Sequence, residues 1–370
     1  MPASSSTARL RHIARNASDR LLRPQTLVTA GRLPYDVLQD DGLTSLRHYR
    51  PLCTGSIDVN GQSIAVSKTR HKVPLLIVPP LAVNMLVYDL FPERSLVKYL
   101  LAQGFDVYLI DWGKPTRRHA HYTLATYVRE FMPGLIETVR EHSGSQDISL
   151  HGWSMGGGLA LAYAALSGDR GIRNIITLGT AVDGHANGAL GRQYARLGRM
   201  LHKARLSWRR VPARWNYAPG WINVIGFKLS DPVSSMKGYV DLFRNLHDRD
   251  FVAQHANQGA FIDSLEAYPG GIIRDWMSSV WLENETASGQ LTVGDEIASF
   301  SNIKSNILCV AGASDNLANQ PCCERLLGVV GSKDSEFYLA PGGHIGIVSG
   351  SQAPDSVWRK TVEWLGQRSD

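Results

Sequence analysis

The sequence predicts an α/β fold, with a mostly parallel sheet, helices on both of its faces, and a helical cap inserted between two strands. Two observations predict it. Short apolar runs typical of strands alternate with helical segments up to about residue 184, and the alternation resumes after residue 300. The intervening residues are rich in Arg, Trp, Gly and Asn, and their helical periodicity is irregular.

These patterns divide the chain into three parts. Residues 1–50 are predicted to form a basic helical N-terminal arm, packed on the core, with a further helix near Tyr35–Leu46. Residues 51–184 and 301–370 form one α/β core, and residues 185–300 form the cap. Of the 370 residues, 44% are apolar and 19% are charged, so the chain can bury a large core and is not disordered.

Composition excludes several other classes of protein. The Arg-rich N-terminus has no continuous apolar run, and no stretch approaches the ~18 apolar residues of a spanning helix, so we expect neither a secretory signal nor a transmembrane helix. The four cysteines include the adjacent pair Cys322 and Cys323 but no C-x-x-C, which indicates reduced thiols and a cytoplasmic protein. We find no nucleic-acid, metal-ligand or nucleotide-binding motif, and expect no cofactor.

The first core elements follow from local signals. SIDVNGQSIAV predicts a hairpin around Asn60–Gly61, a pair that favours a type I′ turn. VPLLIVPP is an unbroken apolar run, typical of a parallel strand covered on both faces. RSLVKYLLAQG predicts a helix that ends at Gly104, and FDVYLIDW predicts a strand. TLATYVREFMPGLIETVREHSG predicts a long helix capped by Thr123.

The remaining core elements continue the alternation. DISLHGWS is a predicted strand that stops abruptly, MGGGLALAYAALSG a helix, and IRNIITLGTAVD a further strand. After the cap, SNILCVAGASD and SEFYLAPGGH are predicted strands with their loops, and PCCERLLGVVG and VWRKTVEWLGQRS are predicted helices. A parallel sheet is the arrangement that accommodates this order.

A G-x-S-x-G motif, Gly152 to Gly156, lies where the strand DISLH stops. The turn from strand to helix is so tight that a β-carbon on a flanking glycine would clash with the backbone. It projects Ser154 Oγ above the sheet and places the Met155 N–H at a helix N-terminus, facing a developing oxyanion. Because a strand precedes the motif and a helix follows it, we interpret Ser154 as a catalytic nucleophile in an α/β-hydrolase fold.

A serine nucleophile needs a base that a third group orients. In this fold the chain order is Ser, then acid, then His. His344 follows the last strand and is the candidate base, and Asp315 follows SNILCVAG and is the candidate acid. Asp183 also ends a strand and stays open as an alternative acid. The second oxyanion donor is expected to be the backbone N–H of Leu81 or Ala82, after VPLLIVPP.

Longer stretches of the chain resemble the polyhydroxyalkanoate (PHA) synthases. They include PLLIVPPLAVN, YDLFPERSLVKYLLAQGFDVYLIDWGKP, the elbow segment, LTVGDEIASFSNIKSNILCVAGASD and PGGHIGIVSGSQA. PERSLV, IDWG and GGHIG are not general hydrolase features, so the resemblance is specific. It implies an acyltransferase that takes (3-hydroxy)acyl thioesters of coenzyme A and builds a polyester through a covalent acyl-enzyme. Carried over by position, the nucleophile, acid and base fall on Ser154, Asp315 and His344.

The sequence departs from this family's pattern in two places. The synthases usually carry cysteine in the elbow, where this chain has Ser154. A serine ester is a less activated acyl donor than a thioester, and water competes for it, so this departure favours hydrolysis. The synthases also usually place His directly after the acid, where this chain has Asn316. Three hypotheses follow: a synthase-like acyltransferase, a serine esterase, thioesterase or polyester depolymerase, and a non-catalytic protein of a granule or membrane surface.

The start of the cap is strongly basic. Residues 185–230 contain no Asp or Glu, and apolar residues recur there at helical spacing. One interpretation is a site for the phosphates of coenzyme A, with Arg192, Arg196, Arg199, Arg209 and Arg210 as candidate ligands. The alternatives are contact with an anionic membrane or polyester granule, and a solvated helix face. The resemblance also implies a homodimer formed through the cap.

Overall fold

The computed structural model describes the backbone of residues 3–53, 55–230 and 232–370, and the side chains of residues 9–53, 55–228 and 236–370. Residues 1 and 2 of the predicted arm, residue 54 of the predicted core and residue 231 of the predicted cap lie outside the described residues.

The strands of the described chain fall into one large sheet and two hairpins. They are β1 (Tyr35–Asp40), β2 (Ser45–Tyr49), β3 (Ser56–Val59), β4 (Gln62–Ala65), β5 (Leu75–Val78), β6 (Val107–Asp111), β7 (Ile148–Trp153), β8 (Ile172–Leu178), β9 (Gln290–Val293), β10 (Glu296–Ser299), β11 (Asn306–Gly312) and β12 (Ser335–Ala340). The large sheet has eight strands in the order β1-β2-β6-β5-β7-β8-β11-β12. β2 runs antiparallel to its neighbours β1 and β6. The other neighbouring strands of this sheet, in the order β6-β5-β7-β8-β11-β12, pair in parallel.

The α-helices cover the sheet and build the cap. They are α1 (Ala3–Leu22), α2 (Leu96–Ala102), α3 (Met132–Ser143), α4 (Met155–Ser167), α5 (Gly188–Lys203), α6 (Ala213–Asn216), α7 (Gly220–Ser230), α8 (Pro232–Arg244), α9 (Arg249–Asp263), α10 (Gly270–Trp276), α11 (Gln320–Glu324), α12 (Gly346–Ser349) and α13 (Arg359–Gly366). Among the described residues, no helix is long and apolar enough to cross a membrane.

Two apolar cores lie on opposite faces of the sheet. In β5, Leu76 and Val78 pack with α3 and α4, whereas Leu75 and Ile77 pack with α2 and α13. Side chains alternate between the two faces of a strand, so a strand covered on both faces must be apolar throughout. The unbroken run VPLLIVPP therefore becomes a central strand, and the predicted α/β fold with helices on both faces is confirmed.

The predicted turn, helix end and helix cap in the first part of the core are also confirmed. Asn60 and Gly61 connect β3 to β4 with φ of 50° and 81°, as a type I′ turn requires. Gly104 follows α2 with φ of 90°, in the left-handed region that a glycine enters without steric cost. The Thr123 Oγ1 accepts from the Thr126 N–H at 3.4 Å, where the helix of TLATYVREFMPGLIETVREHSG begins.

The helix predicted near Tyr35–Leu46 is wrong. This segment forms β1 and the first two residues of β2, and the two strands are joined by a turn at Gly42, which has φ of 83°. Pairing decides the outcome, because β2 bonds to β6 along its length and buries Leu46 completely. The sheet therefore begins inside the segment predicted as a helical arm.

The helix of the arm, α1, packs on the cap. It lies against α9, and its Asn16 amide donates at 2.9 Å to the carbonyl of Leu246, just before α9. Arg249 donates to the Asp19 carboxylate at 2.6 Å across the same contact. The predicted packing of the arm on the core is therefore wrong for α1, whereas the following residues do contact the core, since the N–H groups of Gly31 and Leu33 donate to Asp89.

The predicted cap is helical from α5 to α10, but its last residues form a hairpin. β9 and β10 pair antiparallel, and Leu291, Val293 and Ala298 are buried in the same core as α4. The last residues of the predicted cap, 290–300, therefore belong to the core that packs around α4.

Candidate active site

The site lies at the carboxyl end of the sheet, where two neighbouring strands send their connections in opposite directions. β5 pairs with β6 on one side and with β7 on the other. The loop after β5 and the turn after β7 therefore diverge and leave a crevice between them. Ser154 stands on one side of this crevice, and Leu81 and Ala82 stand on the other.

Ser154 occupies a sharp strand-to-helix turn. Its backbone has φ of 54° and ψ of −126°, a strained conformation for a residue with a side chain. Its N–H donates to the Leu178 carbonyl at 2.7 Å, which fixes the turn to β8. A β-carbon on Gly152 would lie 2.4 Å from the Gly157 Cα, and one on Gly156 would lie 2.0 Å from the Val78 carbonyl oxygen. Only glycine fits at both positions, as the motif predicts.

Packing behind the turn holds it in place. Thr180 Oγ1 donates to the Ser154 carbonyl at 3.0 Å. A β-carbon on Gly158 would lie 2.2 Å from the Trp276 ring, so the cap's Trp276 sits directly on α4. Trp276 is 8% exposed and belongs to the apolar core, and it does not line the cavity around Ser154.

His344 and Asp315 form a close pair. His344 Nδ1 lies 2.7 Å from the Asp315 Oδ2. The other carboxylate oxygen, Oδ1, accepts from the N–H groups of Leu317 at 2.8 Å and Ala318 at 2.9 Å, so the carboxylate is fixed in orientation. Asp315 is buried, and His344 remains partly accessible. Such a carboxylate orients an imidazole and stabilises its protonated form.

Ser154 and His344 line one cavity. Among the described residues, no hydrogen bond joins Ser154 Oγ to the His344 ring, which is common in ligand-free enzymes because such bonds tighten when substrate binds. The Trp153 indole N–H donates to the His344 carbonyl at 3.1 Å and ties the residue before the nucleophile to the candidate base. The three predicted triad residues are thus brought together from three separate loops.

The cavity is large enough for a small acyl group and is mostly apolar. Its volume is about 420 Å³. Apart from Ser154 and His344, its walls are formed mainly by apolar side chains of the β5 loop and the cap: Pro80, Leu81, Ala82, Val83, Ile222, Phe227, Phe261 and Leu265. An apolar cleft with a few convergent polar groups is typical of a ligand site.

The loop after β5 is held by the cap. Asn84 donates through Nδ2 to the carbonyls of Phe261 at 2.9 Å and Ser264 at 3.1 Å. The Ala82 carbonyl accepts from the Glu266 N–H at 3.0 Å, and Ala82 has an unusual positive φ of 63°. Asn84 was not among the predicted site residues, although it stands at the end of the motif PLAVN.

The candidate oxyanion donors converge on the same crevice. Leu81 and Ala82 line the cavity from the β5 loop, and the Met155 N–H is the first amide of α4. The first amides of a helix have no acceptor within the helix and carry its positive dipole end. A developing negative charge beside Ser154 would meet donors from both sides.

Asp183, the alternative acid, has a different partner. Its carboxylate accepts from the Asn284 amide at 2.8 Å and from the Ala186 N–H at 3.1 Å, and it caps the short helix that follows. The His344 ring is instead paired with Asp315, so the structure favours Asp315 over Asp183 as the orienting acid.

The predicted phosphate ligands do not form one site. Arg192, Arg196 and Arg199 are exposed on one stripe of α5, whose opposite face is buried against the rest of the cap. Arg210 is also exposed. Arg209 must be removed from the set, because it is bound to Glu283 and Glu285, each at 2.9 Å, which already neutralise it. None of these arginines lines the cavity around Ser154.

The buried cysteines are poor nucleophiles. Burial raises the pKa of Cys309 and of Cys322 to about 12, so both thiols stay protonated near neutral pH. Neither lines the cavity that contains Ser154. Among the described residues, no group of three or more His, Cys, Asp or Glu side chains is placed to hold a metal ion.

Comparison with known proteins identifies the family. Residues 73–253 match the family described as alpha/beta hydrolase fold. The chain is 30% identical over 355 residues to the poly(3-hydroxyalkanoate) polymerase subunit PhaC of Haloferax mediterranei, covering 96% of this chain and 68% of that protein. It is 28% identical to the PhaC subunit of Allochromatium vinosum, covering 80% of this chain and 81% of the other.

A solved structure supports the fold independently. A monoglyceride lipase from Saccharomyces cerevisiae superposes with a TM-score of 0.57 at 14% identity, covering 93% of this chain and 97% of the lipase. At this identity the likeness concerns the fold alone. Together with the identity to the polymerase subunits over nearly the whole chain, it leads to one conclusion: the chain belongs to the poly(3-hydroxyalkanoate) polymerase family, on an α/β hydrolase fold.

Proposed function

We propose that this protein is an acyltransferase that takes 3-hydroxyacyl groups from coenzyme A thioesters and joins them into a polyester through an acyl-Ser154 intermediate. The observation that carries the proposal is the His344–Asp315 pair at 2.7 Å, whose histidine shares a cavity with Ser154. Family membership supplies the substrate class, since the relatives are named poly(3-hydroxyalkanoate) polymerases. The apolar cavity of about 420 Å³ suits a short acyl chain.

The first half-reaction forms the acyl-enzyme. His344 Nε2 takes the proton of Ser154 Oγ, and Oγ attacks the thioester carbonyl carbon. The carbonyl oxygen becomes an oxyanion that the backbone N–H groups of Met155 and of Leu81 or Ala82 stabilise. The C–S bond then breaks, the coenzyme A sulfur takes the proton from His344, and the acyl group remains on Ser154 as an ester.

The second half-reaction transfers the acyl group to an alcohol. His344 accepts the proton of a hydroxyl group on another hydroxyacyl unit, and that oxygen attacks the acyl-Ser154 carbonyl. The bond to Ser154 Oγ breaks, Oγ regains the proton from His344, and the product is one ester longer. Asp315 holds the imidazole in the tautomer that this exchange needs and stabilises its protonated form.

Hydrolysis is a second candidate function, and Ser154 itself favours it. If water replaces the alcohol in the second step, the same residues act as a thioesterase or as a polyester depolymerase. An oxygen ester on Ser154 is less reactive toward a chain hydroxyl than the thioester that the family's usual cysteine would form. The two functions therefore differ only in the acceptor of the acyl group.

We also propose that the enzyme binds to the surface of its polyester product through the cap. Several large apolar side chains of the cap are exposed: Met200, Leu206, Trp215 and Trp221. Such side chains are candidate contacts with an apolar polymer surface. Co-sedimentation of the protein with polyester particles, lost when Trp215 and Trp221 are replaced by serine, would support this placement, and unchanged binding would contradict it.

One experiment decides between these functions. The purified protein is incubated with a 3-hydroxyacyl-CoA, and both free coenzyme A and the fate of the acyl group are followed. Insoluble polyester supports the proposal, whereas coenzyme A with only free hydroxy acid supports the thioesterase. Ser154→Ala must abolish the release of coenzyme A. Ser154→Cys is expected to increase the share of acyl groups that end in polyester rather than in free hydroxy acid. No release of coenzyme A by the wild-type protein overturns the proposal.

A further inference from the structure

A second cavity adjoins the one around Ser154. Its volume is about 530 Å³, and it lies between α1, the cap helices α7 to α9 and the loop that follows His344. The two cavities share Phe227, Phe261 and Ile345 in their walls. A ligand that reaches from one to the other would pass along these three apolar side chains.

The second cavity carries an excess of positive charge. Its described walls include the cations Arg20, Arg94 and Lys228 and the carboxylate of Asp263, which pairs with Lys228 at 2.6 Å. Among these described lining residues, positive charges therefore outnumber negative ones. In contrast, the described residues that line the cavity around Ser154 include no Lys, Arg, Asp or Glu. The pair of cavities thus joins an apolar compartment to a cationic one.

Arg20 reaches this cavity from the N-terminal helix. Its Nε is buried and has no hydrogen-bond partner among the described residues, and its Nη2 lies 3.4 Å from His255 Nδ1. Burial and the nearby Arg20 lower the pKa of His255, which keeps that imidazole neutral at neutral pH. A β-carbon on Gly259 would lie 3.3 Å from the Arg20 Nη2, so the glycine makes room for the guanidinium.

Arg94 enters from the opposite wall and is held rigidly. It stacks on the Phe91 ring at 4.4 Å, and its Nε donates to the Ser349 carbonyl at 3.0 Å. Its Nη1 lies 3.3 Å from the Asn60 side-chain oxygen, and among the described residues no carboxylate lies within ion-pair distance of it, although the charge of the neighbouring Glu93 acts on it. A partly buried guanidinium without a direct ion-pair partner can bind an anion, because Arg binds phosphate oxygens with two parallel hydrogen bonds.

We propose that this second cavity binds the phosphate groups of a coenzyme A thioester whose acyl group reacts at Ser154. The inference rests on the proposed acyl-CoA substrate. Arg20 and Arg94 would hold the phosphates, the linking arm would pass Phe227, Phe261 and Ile345, and the acyl chain would lie in the apolar compartment. This placement differs from the basic stripe of α5, whose arginines line neither cavity.

The proposal makes the two arginines specific for the phosphate-bearing part of the substrate. Arg20→Met and Arg94→Met are compared with wild type on a 3-hydroxyacyl-CoA and on the same acyl group carried by N-acetylcysteamine, which has no phosphate. For the coenzyme A thioester, each variant should raise KM at least about tenfold, since one charge-assisted hydrogen bond contributes about this factor. For the N-acetylcysteamine thioester, kcat and KM should stay unchanged.

Arg196→Met on α5 is the matched control and should change neither substrate's kinetics. If the Arg20 and Arg94 variants lose the same factor in kcat/KM on both thioesters, the two arginines have a structural role and the proposal is wrong. An unchanged KM for the coenzyme A thioester would also overturn the proposal. If Arg196→Met alone raises that KM, the phosphates bind at α5 instead. The melting temperature of each variant shows whether it is folded. The variant Arg20→Lys, which keeps the positive charge, should retain more of the affinity for the coenzyme A thioester than Arg20→Met.

A binding experiment separates this inference from the proposed reaction. Free coenzyme A is titrated calorimetrically into Ser154→Ala, with and without Arg94→Met, and inorganic phosphate is titrated as a second probe. Binding that weakens about tenfold with Arg94→Met supports the site even if no thioester is turned over. Absence of coenzyme A binding to Ser154→Ala, or equally tight binding of inorganic phosphate alone, overturns it.

Discussion

His344 and Asp315 are hydrogen-bonded to each other in the site, with Nδ1 of the histidine 2.7 Å from Oδ2 of the aspartate. Gly179 lies beside both groups, and a β-carbon there would come within 3.1 Å of each of these two atoms. The pair is thus enclosed by backbone on one side and open toward Ser154 on the other. The orientation of the imidazole depends on this enclosure and on the carboxylate.

The first prediction tests which aspartate orients the base. Asp315→Asn should lower kcat by about 10²- to 10⁴-fold, because the amide neither stabilises the imidazolium nor fixes the required tautomer. Asp183→Asn is the matched control. It should keep kcat within about twofold and cost at most ~1 kcal/mol of unfolding free energy, the usual value of a helix cap. The reverse ranking in steady-state kinetics would make Asp183 the acid.

A second prediction concerns the loop that carries Leu81 and Ala82. Asn84→Ala removes the hydrogen bonds from this loop to the cap carbonyls at positions 261 and 264. With its oxyanion donors less fixed, kcat should fall about 10- to 100-fold while KM changes little. Asn245→Ala, which removes a bond to the Asp241 carbonyl elsewhere in the cap, should leave kcat unchanged. A lower melting temperature with normal kcat would instead show a purely structural role.

The third prediction concerns the contact between α4 and the cap. Gly158→Ala adds a methyl group that would lie only 2.2 Å from the Trp276 ring. This clash should destabilise the protein by about 1–3 kcal/mol. The double variant Gly158→Ala/Trp276→Leu should lose less than the sum of the single changes, because the clash is gone. Gly134→Ala in α3, whose nearest neighbour would be 3.8 Å away, should be neutral or stabilising. Additive losses in denaturant unfolding would argue against this contact.

The fourth prediction is a dependence of stability on pH. Burial in β7 lowers the pKa of His151 from 6.5 to about 4. Between these values the unfolded chain binds a proton that the folded protein does not, so stability falls as pH decreases from about 6.5 to about 4. The loss should reach about 3 kcal/mol, and it should be absent above pH 7.

His151→Leu is the variant that checks this dependence, since leucine has a similar size but does not titrate. Urea unfolding at pH 7, 5.5 and 4.5 should show a flatter dependence in the variant than in the wild-type protein. An identical dependence in both proteins would assign the effect to other titrating groups.

Local sequence signals determined most elements of the core and the candidate chemistry. Strands such as β5 are apolar at every position because both faces are covered, and the elbow glycines are required because any side chain would collide with backbone. The order Ser154, Asp315, His344 follows from the order of the strands, so it could be predicted along the chain. These features depend on neighbours that are close in sequence or on the covering of a whole strand.

Tertiary structure alone decided the features that depend on distant partners. Pairing with β6 turned a segment with helical spacing into β1 and β2, and Glu283 and Glu285 neutralised Arg209, a predicted phosphate ligand. The cavity that Arg20 and Arg94 line has no sequence signature, because the two residues are far apart in the chain and only the folded structure brings them to one cavity. The sequence shows which residues are charged. Only the packing of the folded chain determines which of these charges form ion pairs.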